Sequence, residues 1–213
     1  MSRGYPSRRP GNRGASVPAV PLHPAENRGY RELYAFTRAM TAHWPRLVAR
    51  LGPGPASEAL EAGVRQARTL LEELADVTAR YDLHGRPAAQ SVGHRLASLR
   101  NLAGDRFLER NQAVRFAAQE AQHLSTLAGY LGEVAAARGD QELAGFARGW
   151  ERRLRRTENA VRRAAIELGA SPDAAVEPLD ASPLGRAAHG VGYVVGTVGE
   201  WVDRRAAELR HSR

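Results

Sequence analysis

The sequence contains no cysteine and no lysine, and its only isoleucine is Ile166. The lack of cysteine excludes disulfide bonds, zinc fingers, iron–sulfur clusters and thiol nucleophiles. Because the aliphatic residues are otherwise Ala, Leu and Val, few β-branched runs are available, and the composition favours an all-α fold. The chain also lacks an apolar run of membrane-spanning length, and residues 1–25 lack the apolar core of a signal peptide. These absences predict a soluble, cytoplasmic protein without a membrane span.

All 31 basic side chains are arginine, and the formal net charge is +8. Two interpretations of this bias exist. The first is a surface suited to phosphate or carboxylate groups. The second, which we favour, is the codon usage of a GC-rich genome. The net charge permits weak attraction to nucleic acid or anionic lipid, but it specifies no partner.

The spacing of prolines and glycines divides the chain into segments. Residues 1–28 are rich in Arg, Pro and Gly and are predicted to be a disordered tail. An extra N-terminal helix is predicted over 30–52, and Pro45 is expected to kink or split it. A helical bundle is predicted over 56–169. The remaining predicted segments are a loop over 170–183 and a Gly-rich amphipathic helix over 184–210.

Apolar residues recur at helical spacing in four segments of the predicted bundle. For the first segment, Ser57 is the predicted N-cap. Between the last two segments, Gly139 is the predicted C′ residue and Asp140 the predicted N-cap. Because long amphipathic helices joined by short turns pack antiparallel, we predict an antiparallel four-helix bundle with an extra helix at each end. The four predicted bundle helices span 56–83, 86–104, 112–138 and 140–168.

The third bundle helix carries Glu120 and His123 in an E-x-x-H motif. A spacing of three residues places the carboxylate and the imidazole on one face of the helix. This is the unit from which carboxylate-bridged two-metal sites are built inside four-helix bundles.

The run from Asn111 to Tyr130, which includes this motif, resembles the third helix of ferritin-like proteins. It is most similar to the stress-associated YciF-like group, and the run from Gly149 to Glu158 resembles the fourth helix of that group. The resemblance implies two iron or manganese ions held between the helices by acids from every helix. The matching candidates here are Glu120, His123, Glu151 or Glu158, and one of Glu72, Glu73 and Asp76, with Glu73 preferred.

The predicted helix over 86–104 departs from that pattern because it contains no acid, and its polar candidates are Gln90 and His94. A two-metal site needs several carboxylates to bridge and neutralise the ions. We therefore expect no intact two-metal site and no cofactor, with iron or manganese as the alternative. Glu120 and His123 then form a polar pair at the helix seam, salt-bridged to an arginine of the 140–168 helix.

The favoured function is a ferritin-like bundle protein that is non-catalytic or weakly metal-binding and acts through helix-mediated association. Its expected partner is a second copy or another protein, bound through the 184–210 helix. The enzyme-class alternative is a di-iron or di-manganese redox protein. A second alternative is nucleic-acid or anionic-surface binding, which is not favoured because no aromatics for base stacking are interleaved. The candidate anion-binding residues are Arg152, Arg155, Arg156 and Arg163.

Overall fold

Four long helices make up most of the described part of the chain. The computed structural model describes residues 21–81, 83, 108–180 and 182–183. The helices are α1 (Pro24–Leu51), α2 (Pro55–Arg80), α3 (Arg110–Ala137), α4 (Gln141–Glu167) and the single turn α5 (Pro172–Ala175), with a 3-10 turn, Leu168–Ala170, after α4. The predicted helices over 86–104 and 184–210 lie outside the described residues, as do residues 1–20 of the predicted tail.

The predicted all-α class is confirmed for the described residues. Their only β-type pairing is an isolated antiparallel bridge between Glu109 and Pro178. The predicted 170–183 loop contains the last residue of the 3-10 turn, the short helix α5 and one side of this bridge.

Helix α1 begins at Pro24 instead of Tyr30, so residues 24–28 are helical and do not belong to the tail. The reason is a capping box at His23. The backbone N–H of His23 donates to the Glu26 carboxylate at 2.9 Å, while the His23 ring accepts from the N–H of Ala25 at 3.1 Å.

Pro45 does not split this helix, because α1 continues through it to Leu51; the kink that was the other expected effect stays a prediction. Pro45 is exposed, whereas Trp44 and Leu47 beside it are fully buried. Burial of these two side chains holds the helix together across the missing backbone hydrogen bond.

The predicted cap of α2 is also wrong. Helix α2 begins after Gly54, with Pro55 at its first position, and the Ser57 hydroxyl instead donates to the carbonyl of Gly52. The turn before α4 is as predicted. Gly139 adopts a positive φ of 86°, and the Asp140 side chain accepts from the N–H of Leu143 at 3.0 Å.

Each long helix contacts two neighbours, so that the four helices form a ring in the order α1, α2, α4, α3. Glu26 of α1 bonds Arg138 after α3, and Trp44 further along α1 bonds Glu120 nearer the start of α3. These pairings show that α1 and α3 run antiparallel. The pairs Arg80–Glu142 and Glu73–Trp150 show the same for α2 and α4.

The described chain leaves α2 and re-enters α3 at opposite ends of the ring. At one end, the Tyr81 hydroxyl after α2 donates to Asp140 before α4 at 2.6 Å. At the other end, Arg110 of α3 donates to the carbonyl of Leu51 at the end of α1, also at 2.6 Å. The two ends lie about 40 Å apart, the length of helices of 26 to 28 residues.

The interior of the ring is mainly hydrocarbon. Helix α1, which the sequence analysis set apart as an extra helix, supplies several of the largest fully buried side chains to one core shared with α2, α3 and α4. Burial of this kind is the main source of helical stability in proteins. Fully buried side chains include Tyr30, Leu33, Trp44, Leu47, Leu60, Leu70, Leu74, Leu124, Leu131 and Leu154.

Candidate functional site

Glu120 and His123 lie in the groove between α3 and α1. Glu120 accepts a hydrogen bond from Trp44 Nε1 at 2.8 Å, and His43 Nδ1 lies 3.6 Å from the same carboxylate. His123 Nε2 lies 3.1 Å from Glu32. The predicted partner, an arginine of the last bundle helix, is wrong, because α1 and not α4 occupies the side of α3 that these residues face.

Glu73 and Glu151 lie in two other grooves. The Glu73 carboxylate accepts from Trp150 Nε1 at 2.7 Å and from Arg153 at 3.2 Å, which places it between α2 and α4. Glu151 lies between α4 and α3, where its Cδ is 3.3 Å from the position a Cβ would take on Gly129. Glu151 is also salt-bridged to Arg155.

Glu158 is buried, and its carboxylate accepts from Arg162 Nε at 2.7 Å. The two residues are four apart on α4, so this bond lies along one helix and joins no neighbour.

The candidate metal ligands therefore do not fit a pair of divalent ions. Glu120, Glu73 and Glu151 occupy three different interhelical grooves, and each is held by its own donor. Nowhere in the described residues do three or more His, Asp or Glu side chains gather in a way that could hold a metal ion. A two-metal centre requires several carboxylates to converge on one space.

The four candidate anion-binding arginines all lie on α4. All four are exposed, and Arg155 is already paired with Glu151. Arg156 is the member of this set that lines a cleft between α2 and α4.

That cleft encloses about 490 Å³. Its lining includes three arginines, Arg65 from α2 and Arg153 and Arg156 from α4. The lining contains no acidic residue. The other lining residues are small, uncharged or aromatic: Ala59, Ala62, Gly63, Gln66, Thr69, Trp150, Thr157 and Ala160.

A fixed set of contacts orients Arg153 at this cleft. Its guanidinium lies 4.6 Å from the ring centre of Trp150 and donates to Glu73, which also accepts from the Trp150 indole. This arrangement was not predicted from the sequence. The available signal was the spacing of Trp150 and Arg153, which places them on one helix face.

A second polar cluster closes the end of the ring where α1 begins. Glu26 has no exposed surface and accepts from Arg138 Nε at 2.8 Å and from its terminal nitrogen at 3.2 Å. Arg138 also donates to Asp140 at 3.0 Å, and Asp140 accepts from Tyr81. Through these bonds, the cluster ties α1 and the end of α2 to the turn between α3 and α4.

Burial, hydrogen bonds and neighbouring charges shift the pKa values of this cluster. Burial alone raises the pKa of Asp140, but bonds from Tyr81, the Leu143 N–H and Arg138 outweigh it and hold that pKa below its usual value. Burial raises the pKa of Tyr81, and the bond to Asp140 adds to this effect. For Tyr30, burial and then the nearby Glu26 charge raise the pKa well above its usual value.

Comparisons with protein-family models, with curated proteins and with solved structures found no match. In the parts of the chain that the structure describes, no helix combines the length and hydrophobicity needed to cross a bilayer. The features that bear on function are therefore the α2–α4 cleft, the polar cluster around Arg138 and the grooves that hold the candidate acids.

Proposed function

We propose that this chain is a non-catalytic, ferritin-like bundle protein that acts through association. The main support for the non-catalytic role is that two of the candidate metal-binding acids are engaged in hydrogen bonds between helices. Glu120 and Glu73, which would have to reach a common metal centre, instead accept indole hydrogen bonds in separate grooves. These bonds hold neighbouring helices together, which is a structural role.

The helix arrangement supports the ferritin-like part of the proposal. Two antiparallel pairs, α1 with α2 and α3 with α4, lie side by side, and the described chain leaves the first pair and enters the second at opposite ends. Ferritin-like bundles join two antiparallel pairs through one long crossover. Helix α1 is one of the four helices of this ring, and it shares a mainly apolar core with the other three.

Metal analysis distinguishes this proposal from the di-iron or di-manganese redox alternative. The full chain, produced with iron or manganese in the medium, is expected to contain far less than one metal equivalent. The Glu73→Gln/Glu120→Gln double variant is expected to give the same value. Two equivalents in the unaltered chain that disappear in the double variant would establish the redox alternative and overturn the proposal.

The association part is tested by measuring molar mass. Light scattering after size exclusion is expected to give a mass above the 23.2 kDa of one chain, increasing with concentration. A mass of one chain across the accessible concentration range, with no protein partner bound, contradicts this part.

A further inference from the structure

We infer that the cleft between α2 and α4 is a binding site for the phosphate group of a small phosphorylated molecule. This site goes beyond the proposed function, because it requires neither association nor the ferritin-like arrangement. Its volume of about 490 Å³ falls within the range of about 300–1,000 Å³ typical of small-molecule pockets.

The cleft carries positive charge that no described carboxylate balances. Arg65 and Arg156 line the cleft, and no carboxylate among the described residues pairs with either of them. They belong to the two helices that border the groove, Arg65 to α2 and Arg156 to α4, and a bound anion would offset both positive charges. A phosphate monoester carries a charge of about −1.5 to −2 at pH 7 and has three acceptor oxygens, which suits several guanidinium groups.

One arginine of the cleft is partly preorganised for binding. Arg153 stacks on Trp150 and bonds Glu73, and these contacts favour one orientation of its planar guanidinium before any ligand arrives. A guanidinium that is already oriented loses less freedom when it binds an oxyanion. Trp150 and Glu73 are therefore positioning residues, and the remaining N–H groups of Arg153 are the binding groups.

The cleft also contains a side-chain amide with an unsatisfied polar atom. Gln66 lines the cleft, and its Oε1 is buried without a hydrogen-bond partner in the described part of the chain. Rotation of the amide exchanges Oε1 and Nε2, which places a donor at the same point. A phosphate oxygen in the cleft would accept from that donor and satisfy the group.

The site is tested by calorimetric titration of the full chain with pyrophosphate at low salt. The Arg65→Gln/Arg156→Gln variant removes two cleft charges at exposed positions. The matched control, Arg152→Gln/Arg163→Gln, removes two charges from exposed positions outside the cleft lining. We expect one pyrophosphate per chain, at least about tenfold weaker binding in the cleft variant, and a change of less than about twofold in the control.

Several outcomes would overturn the inference. Absence of binding by the unaltered chain at low salt removes the site. Equal weakening in both variants shows diffuse attraction to a basic surface. Tighter binding of a short single-stranded oligonucleotide, weakened most in the control variant, shows that the exposed face of α4 binds nucleic acid instead. A Gln66→Ala variant, which keeps every charge, is expected to weaken pyrophosphate binding as well, and unchanged affinity contradicts the amide's role.

Discussion

The Tyr30 hydroxyl is buried beside charged residues without a hydrogen-bond partner among the described residues. A buried unsatisfied hydroxyl costs about 1–3 kcal/mol, so Tyr30→Phe is expected to stabilise the protein by about 1 kcal/mol in urea unfolding. The control, Tyr81→Phe, removes the bond to Asp140 and is expected to have the opposite sign.

Comparing Tyr30→Phe with the unaltered chain also tests how the free energy of unfolding depends on pH. Because the pKa of Tyr30 is raised in the folded state, its contribution to stability is fully present below the ordinary value of 10.0 and is lost as the pH rises further. Tyr30→Phe is therefore expected to lose less stability than the unaltered chain above pH 10. Equal losses in both proteins would show that this hydroxyl is solvated.

For Asp140 we expect the opposite dependence, a loss of stability as the solution becomes acidic. Its pKa is lowered in the folded state, so its contribution is present above the ordinary value of 3.8 and is lost as the pH falls through the folded value. The substitution Asp140→Asn keeps an N-cap side chain but loses the charge that faces Arg138. We expect this substitution to cost about 1–2 kcal/mol at pH 7 and less at pH 3.

Urea unfolding of the unaltered chain and the Asp140→Asn variant at both pH values measures this difference. Glu133→Gln is a suitable control, because Glu133 forms an exposed pair with Arg148 and such pairs contribute about 0–1 kcal/mol. A difference in stability between the unaltered chain and the Asp140→Asn variant that does not narrow at low pH would contradict the role assigned to this carboxylate.

At the scale of the helices, Gly63 of α2 sets how closely α1 can approach. A Cβ on Gly63 would lie 2.3 Å from the Trp44 ring and 2.9 Å from the Thr157 methyl group. Trp44 is fully buried and cannot move aside easily. Although alanine favours helix by about 1 kcal/mol, Gly63→Ala is expected to destabilise the protein by about 1–3 kcal/mol.

Gly149 of α4 is the matched control for this substitution. Its Cβ position has no atom within 4 Å, so Gly149→Ala should gain the helix propensity of about 0.5–1 kcal/mol without a clash. The free energies of unfolding of the two variants should therefore change in opposite directions. A stabilised Gly63→Ala protein would mean that α1 does not lie as close to α2 as the structure shows.

The sequence was sufficient to predict these helices to within a few residues, since apolar periodicity and the Gly139–Asp140 turn are local signals. The start of α1 was missed because histidine is not among the usual capping residues. The neighbours of each helix could not be predicted, because an amphipathic stripe shows that a face is buried but does not identify the partner. For the same reason, the sequence could not predict which indole groups donate to Glu120 and Glu73. Nor could it predict the cleft around Arg156, because all of these depend on which helices pack together.

At the scale of the whole molecule, the same carboxylates distinguish a structural role from a metal site. Glu120 joins α3 to α1, Glu73 joins α2 to α4, and the hydrogen bonds of each are made with different residues. Residues that are separate in this way contribute additively to stability, within about 0.3–0.5 kcal/mol, whereas ligands of one centre are strongly coupled.

We therefore expect Glu120→Gln and Glu73→Gln each to lower the free energy of unfolding by about 1 kcal/mol, because a neutral amide accepts the indole hydrogen bond more weakly than a carboxylate. The double variant should lose the sum of the two. The measurement is urea unfolding of the four proteins with and without manganese. A contrary result would be that manganese stabilises the unaltered chain and that either single variant abolishes this effect. The two carboxylates would then bind one ion in solution, and their placement in separate grooves would be wrong.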